Sequence, residues 1–282
     1  MLSTSSSLAL RALLKSAAAR GGLTHGPVRL TGLTAPALAW HAAARAQDQP
    51  QFVVVPTDAD VEQMTADARF FFAAINGLSD IDVERQVLPF PSQEVDPYRG
   101  LAPHLEIASA RARALHRLST GTARIVIASA RALLPRVSAP ARLSAAGVAI
   151  AAGTEISPQD LGERLGLAGF TREDPVDEHG EFCVRGGIVD IFPASEAQPL
   201  RLEFIGDIVE SLRWYDAATQ RSLAAVDTIV ISPQRELLFH DGERASRDAR
   251  DPDAQAGVRE RRDDPEPDRT STIVDYVRHA GA

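Results

Sequence analysis

The stretch from Glu178 to Ser222, EHGEFCVRGGIVDIFPASEAQPLRLEFIGDIVESLRWYDAATQRS, has the narrowest conformational choice in the chain. Its spacing predicts strands. Between Phe182 and Phe192 the β-branched residues Val184, Ile188, Val189 and Ile191 surround Gly186-Gly187, the pattern of a strand with a bulge or a close backbone approach. Pro193 to Pro199 then reads as a turn. From Leu200 the chain alternates strictly, so that Leu200, Leu202 and Phe204 share one face and Arg201, Glu203 and Ile205 the other. Gly206-Asp207 turns into a third run, Ile208 to Tyr215, and after the turn-like Asp216 to Thr219 a fourth run follows from Val226 to Ile231.

With 282 residues the chain is long enough for two domains, each burying a core. The formal net charge of -8 argues against nucleic acid captured by a bulk basic field, and leaves room only for a local basic patch. Lys15 is the only lysine, a bias that a GC-rich genome produces as readily as function does. The single Cys183 excludes an internal disulfide and a cysteine-based zinc site, and fits a reducing cytoplasm. Within a strand it reads as a buried structural thiol rather than a nucleophile. No apolar run approaches the ~20 residues of a membrane span. Residues 1 to 21 carry Arg11, Lys15 and Arg20 without acids and superficially resemble a transit peptide, yet Leu8, Leu10, Leu13 and Leu14 also make one stripe of an amphipathic helix, assigned to residues 1–25.

Beyond it, Val28 to Leu33 is predicted as a strand and Ala35 to Ala46 as a helix. Phe52 to Val55 is the next strand, and Thr57 to Asp60 forms a capping box for a helix reaching about Ala74. Val87 to Pro89 and Ile125 to Ala128 are further strands around a helix from His104 to Leu118, with a short helix at Ala130 to Leu134. Such alternation predicts an α/β domain with a parallel sheet over residues 26–142. Pro135 to Gly147 reads as the boundary. Residues 146–232 then form a strand-rich α+β module, with a strand at Val148 to Ala151 and a helix capped by Ser157 and Pro158 that runs to about Ala168. In 233–282 the tract 242–269 has the composition of a disordered or solvated linker, and Thr270 to His279 reads as an amphipathic helix.

The first strand-to-helix turn is where a nucleotide-binding α/β domain carries its phosphate loop. Set against G-x-x-x-x-G-K-[ST], Gly32 keeps the first glycine, but Ala37, Leu38 and Ala39 replace the second glycine, the lysine and the hydroxyl. With no lysine for the phosphates and no hydroxyl for Mg²⁺, the loop is not expected to turn over ATP. The seven histidines never pair at helical spacing, so no metal site is supported. Glu178-His179 reads as a hydrogen-bonded turn rather than an acid–base pair, and no G-x-S-x-G elbow occurs. Neither a catalytic constellation nor a cofactor is expected. What remains is a surface: Arg201 and Ile205 on one strand face and Arg185 beside the diglycine have the composition of an interface hot spot, and equally of a solvated sheet face with a chance arginine pair.

The block EHGEFCVRGGIVDIFP, then PLRLEFIGDIVESLRWYD and TQRS, resembles the UvrB-homology module of bacterial transcription-repair coupling factors. FVVVPTDADVEQMTADARFFF and LPFPSQEVDPYRGLAPHLEIASARARALHRL extend the resemblance upstream, so that it covers roughly residues 26 to 238. It implies a degenerate helicase-like α/β domain carrying an inserted domain that binds UvrA by mimicking UvrB. The eroded phosphate loop and the absence of a tyrosine-rich DNA-gripping hairpin favour the coupling factor over UvrB itself. The family's UvrA-contacting arginines fall on Arg185 and Arg201, and its phenylalanine on Ile205, a departure that keeps apolar area and loses the ring. The resemblance implies that full coupling factors continue into RNA-polymerase-binding and ATP-driven DNA-translocase domains, so the chain is expected to be a fragment or a truncated product. The expectation is thus a non-catalytic cytoplasmic adaptor for UvrA, with RNA polymerase and DNA as partners of the full-length family. A UvrB-like damaged-DNA-binding protein and an inactive remnant are the alternatives.

Overall fold

The computed structural model describes residues 10–17, 29–95, 103–193, 196, 198–234, 236 and 268–281. These divide into two compact units, Met1–Pro135 with Ile273–Ala282, and Arg136–Thr272. The expected linker tract 242–269 lies almost wholly outside the described residues, as do the outer part of the N-terminal helix and the centre of the loop before His104.

The first unit is built on a three-stranded parallel sheet in the order β1-β3-β2, with β1 at Gln51–Val55, β2 at Val87–Phe90 and β3 at Ile125–Ser129. A helix at 10–17 (α1) and helix α2 at Ala35–Arg45 precede the sheet; α3 (Asp58–Asn76) and α4 (Asp80–Glu84) link β1 to β2. Helix α3 begins where the sequence requires. Thr57 Oγ1 accepts from Asp60 N–H at 3.2 Å, and the Asp60 carboxylate accepts from Thr57 N–H at 3.0 Å. Gly77, at φ 69°, takes the left-handed position that ends the helix. The alanine stripe Ala39, Ala42 and Ala43 of α2 packs with Val61, Met64, Ala68, Phe72 and Ile75 of α3 and with Val55, Val87, Ile125 and Ile127 of the sheet. Leu88 and Phe90 point to the other face, where the buried Arg111 of α5 (Leu105–Ser119) lies 4.0 Å over the Phe90 ring and donates to Pro91 O at 2.6 Å. Helix α8, Ile273–Ala280, returns to pack on α5, with a bond of 3.0 Å between His279 Nε2 and Ser119 O.

One expected element is not formed. Residues 29–34 run into α2 without strand pairing, although Val28 to Leu33 has strand composition. With Arg29, Thr31 and Thr34 flanking Leu30 and Leu33, both of which stay exposed, the segment has no apolar face to bury. Helix α4 was not anticipated because it is only five residues long, and it depends on the Ser79 cap of Asp82 N–H at 3.2 Å.

The second unit carries an α+β fold. Helix α6 (Pro140–Ala146) lies within the stretch expected to be the domain boundary; Asp268 caps it, accepting from Ala139 N–H at 3.0 Å. Strand β4 (Val148–Ala151) leads to α7 (Pro158–Leu167), whose cap Ser157 accepts from Asp160 N–H at 3.0 Å. Six strands follow in one sheet ordered β10-β9-β8-β7-β6-β5: β5 Thr171–Arg172, β6 Glu181–Arg185, β7 Ile188–Ile191, β8 Leu200–Ile205, β9 Ile208–Tyr215 and β10 Ser222–Ala225. Strand β11, Thr228–Ile231, pairs with β4 in a separate antiparallel ribbon instead of joining that sheet. The diglycine is a hairpin turn between β6 and β7 rather than a bulge within one strand. Gly186 has φ +59°, and a Cβ on Gly187 would stand 3.1 Å from Phe204 O, so the close backbone approach is real.

The inner face of the sheet closes on α7 and the β4–β11 ribbon through Phe182, Val189, Ile191, Leu200, Leu202, Phe204, Val209 and Leu212 with Leu161, Leu165, Ile150 and Ile229. Val209 and Leu212 are three apart, a spacing that should place them on opposite faces. A register shift between Glu203 and Phe204 absorbs Glu210 as an extra residue, and both apolar side chains turn inward.

Candidate functional site

Strand parity puts Cys183 and Arg185 of β6, Ile188 and Asp190 of β7, and Arg201, Glu203 and Ile205 of β8 on the face opposite the core. Loops cover one end of that face. Val176, Cys183 and Phe192 form a small buried cluster there with Ala217 against it, and Tyr215 is fully buried, donating to Val176 O at 3.1 Å. The other end, at the Ile205–Ile208 turn, is open, and these paired residues are 65% and 51% exposed.

At the border between the covered and open ends stands Asp190, 1% exposed. Arg201, opposite it on β8, holds the carboxylate with both sides of its fork: Nε to Oδ1 at 2.7 Å and Nη2 to Oδ2 at 2.8 Å. Arg185 adds Nη2 to Oδ2 at 2.6 Å and Nη1 to Asp174 Oδ1 at 3.0 Å. Arg201 is further committed, donating to Gln220 Oε1 at 3.1 Å and lying 4.6 Å over the Tyr215 ring. The two guanidinium groups are therefore unlike. Arg201 is 18% exposed and engaged on every side; Arg185 is 43% exposed and borders solvent.

Charge follows the geometry. The Asp190 bond raises the Arg201 pKa against the opposing effect of burial, and burial of Arg185 is likewise outweighed by Asp190 and Asp174, so both stay cationic. Burial, then the nearby Asp174, pushes the Cys183 thiol up, which keeps it protonated beneath the cluster. His179, beside Glu178, makes no pair with it. Its Nε2 bonds Glu196 O at 3.0 Å and its ring lies 4.0 Å from that of Phe192, while Glu178 N–H donates to Glu181 at 2.9 Å.

The structure thus brings Arg185 and Arg201 together on one carboxylate. Ile205 stands apart from them, four residues along β8 from Arg201, or about 13 Å of strand, and about 12 Å from Arg185. Asp190, Asp174, Tyr215 and Ile208 were not singled out from sequence. Asp190 had a signal, since a lone acid in the apolar run Ile188–Phe192 must be paired if the strand is buried on both sides. Asp174 had none, because it lies in a loop.

The positions compared in sequence with a phosphate loop lie in the first unit. Gly32 has φ +75° and open space around it, Leu38 is exposed on α2, Ala37 is half-buried, and Ala39 is fully buried in the α2–α3 core. Residue 39 thus faces the core rather than solvent, where a Mg²⁺-binding hydroxyl would have to be. Among the described residues no group of three His, Cys, Asp or Glu side chains could hold a metal ion, and no helix is long and apolar enough to cross a membrane.

Residues 148–237, which hold the braced guanidinium pair and the exposed Ile205–Ile208 turn, match the UvrB interaction domain. The chain around that domain is homologous to transcription-repair-coupling factors. It is 32% identical to that of Myxococcus xanthus over 202 residues, which is 71% of this chain and 16% of the relative, and 33% identical to that of Escherichia coli over 154 residues, 55% and 13% of the two. The UvrABC system protein B of Gloeothece citriformis is 26% identical over 117 residues, 42% of this chain and 18% of the relative. The chain spans about one sixth of the length of the coupling factors it matches. The chain is thus similar to one part of the transcription-repair-coupling factors, with a UvrB interaction domain at residues 148–237.

Proposed function

We propose that the second unit is a UvrA-docking module, an adaptor of transcription-coupled excision repair that offers UvrA the surface UvrB offers. The observation that carries this reading is the outer sheet face: Arg185 and Arg201, braced on Asp190, share it with the exposed Ile205. Arginine and exposed aliphatic side chains on a rigid sheet give a contact little ordering cost. We assign Arg185 and Ile205 to direct contact, Arg201 to bracing Arg185 through their shared Asp190, and no catalytic role to the chain. The loop at Gly32 to Ala39 lacks the lysine and hydroxyl that would hold nucleotide and Mg²⁺. In a full coupling factor the module would work in the cytoplasm beside domains that engage RNA polymerase and DNA.

The test is sedimentation of the purified chain with purified UvrA, run beside an ATPase assay and a DNA titration. The adaptor reading expects a complex with UvrA, no ATP turnover and no steeply salt-dependent DNA binding. ATP turnover or salt-sensitive DNA binding without a UvrA complex would instead support a damaged-DNA-binding protein of the UvrB kind.

A further inference from the structure

The two arginines face an uneven set of carboxylates. Asp190 is one negative charge for two guanidinium groups, so the buried part of the cluster carries one positive charge in excess. That excess is neutralised by Asp174, which reaches Arg185 Nη1 at 3.0 Å from the loop after β5 and is itself 54% exposed. The two ion pairs of Arg185 differ in kind. The bond to Asp190 is short and its carboxylate is 1% exposed, whereas the bond to Asp174 is open to water on both sides. Exposed pairs of that type hold weakly, because solvent screens the charges and two side chains must be ordered.

Resting on the adaptor reading, we propose that Asp174 occupies the place of a partner carboxylate: UvrA docks by presenting an acidic side chain to Arg185, displacing Asp174, with an apolar contact on Ile205. Arg201 does not share this role. Its fork is closed on Asp190, its Nη2 also serves Gln220, and its plane covers Tyr215. It holds Asp190, and Asp190 holds Arg185 through Nη2, so that the exchangeable bond is the one from Nη1 to Asp174. The site is therefore matched to a single carboxylate; the extended charge of a phosphate backbone would also meet Glu203 on the same face.

The experiment is calorimetric titration of purified UvrA into the wild-type chain, Asp174→Asn, Arg185→Gln and the double variant at two salt concentrations. Asp174→Asn is isosteric at a half-exposed position, and circular dichroism on each variant checks that it folds. Removing the internal competitor is expected to tighten UvrA binding about two- to fivefold and to steepen its salt dependence. The gain is expected to vanish when Arg185→Gln is added. Wild-type binding that Asp174→Asn leaves unchanged or weakens would overturn the exchange and leave the adaptor reading standing. No binding of UvrA by the wild-type chain would overturn both.

Discussion

Arg201 and Asp190 face each other across neighbouring antiparallel strands, and two parallel hydrogen bonds of 2.7 and 2.8 Å lock guanidinium to carboxylate at a site where the acid is 1% exposed. A buried ion pair of this geometry contributes little net stability over an apolar pair, but breaking it leaves unpaired charge in a desolvated place.

Asp190→Ala is accordingly expected to destabilise the second unit by about 3 kcal/mol, with both Arg185 and Arg201 losing their shared acceptor. Urea denaturation followed by Trp214 fluorescence in a Trp40→Phe background measures it, because the chain has two tryptophans, one in each unit. A loss under about 1 kcal/mol would show that the pair is solvated rather than buried.

Two glycines of α7 should respond with opposite signs. At Gly162 a Cβ would lie 3.0 Å from Val184 Cγ2 and 3.4 Å from Phe182 Cε2, so Gly162→Ala presses the helix off the sheet and is expected to cost about 1 kcal/mol or more. At Gly166 a Cβ meets nothing within 4 Å, so Gly166→Ala is expected to stabilise by roughly 0.5–1 kcal/mol through helix propensity alone. The same Trp214 denaturation curves give both values; equal signs would contradict the packing of α7.

Acid should weaken the first unit through His116. Burial, with help from Arg117, lowers its pKa from 6.5 to about 4. Between those values the unfolded chain binds a proton that the folded chain refuses, so the contribution is complete above about pH 6.5 and is lost as the pH falls toward 4. From pH 7 to pH 5 the wild type is expected to lose about 2 kcal/mol more than His116→Gln, each read by Trp40 fluorescence in a Trp214→Phe background. Parallel pH profiles would exclude His116 as the source.

Ile205 is 65% exposed, opposite Ile208 at the open end of the sheet. Ile205→Phe is expected to leave stability within about 0.5 kcal/mol and to tighten UvrA binding severalfold, since aromatic anchors gain more at interfaces than aliphatic ones. Ile205→Asp is expected to weaken it. Calorimetry on both variants checks the pair, and the reverse order would remove Ile205 from the contact.

How much of this was legible in the sequence depends on how local each signal is. The strict alternation from Leu200 to Ile205 placed Arg201 and Ile205 on one face, and the burial pattern agrees residue by residue. The capping residues Thr57 and Ser157 marked the starts of α3 and α7 because a cap acts within one helical turn. Non-local features were hidden. Gly186-Gly187 looked like an irregular strand because a two-residue turn between apolar runs differs from a bulge only in what the flanking strands pair with. Strand β10, exposed along its whole length, has no apolar face to betray it, and β11 has strand composition whichever sheet it joins. At the site, parity revealed the face but not the shared carboxylate. Whether Arg185 and Arg201 meet depends on the β6–β7 and β7–β8 registers, which the loops between them determine.

The most direct measurement is calorimetric titration of UvrA into the wild-type chain and into Arg185→Ala, with circular dichroism confirming that the variant keeps its fold. The account predicts that wild type binds and that Arg185→Ala binds at least tenfold more weakly, about 1.4 kcal/mol. Equal affinity of wild type and a folded Arg185→Ala would contradict it, and would move the UvrA contact off the face that Asp190 organises.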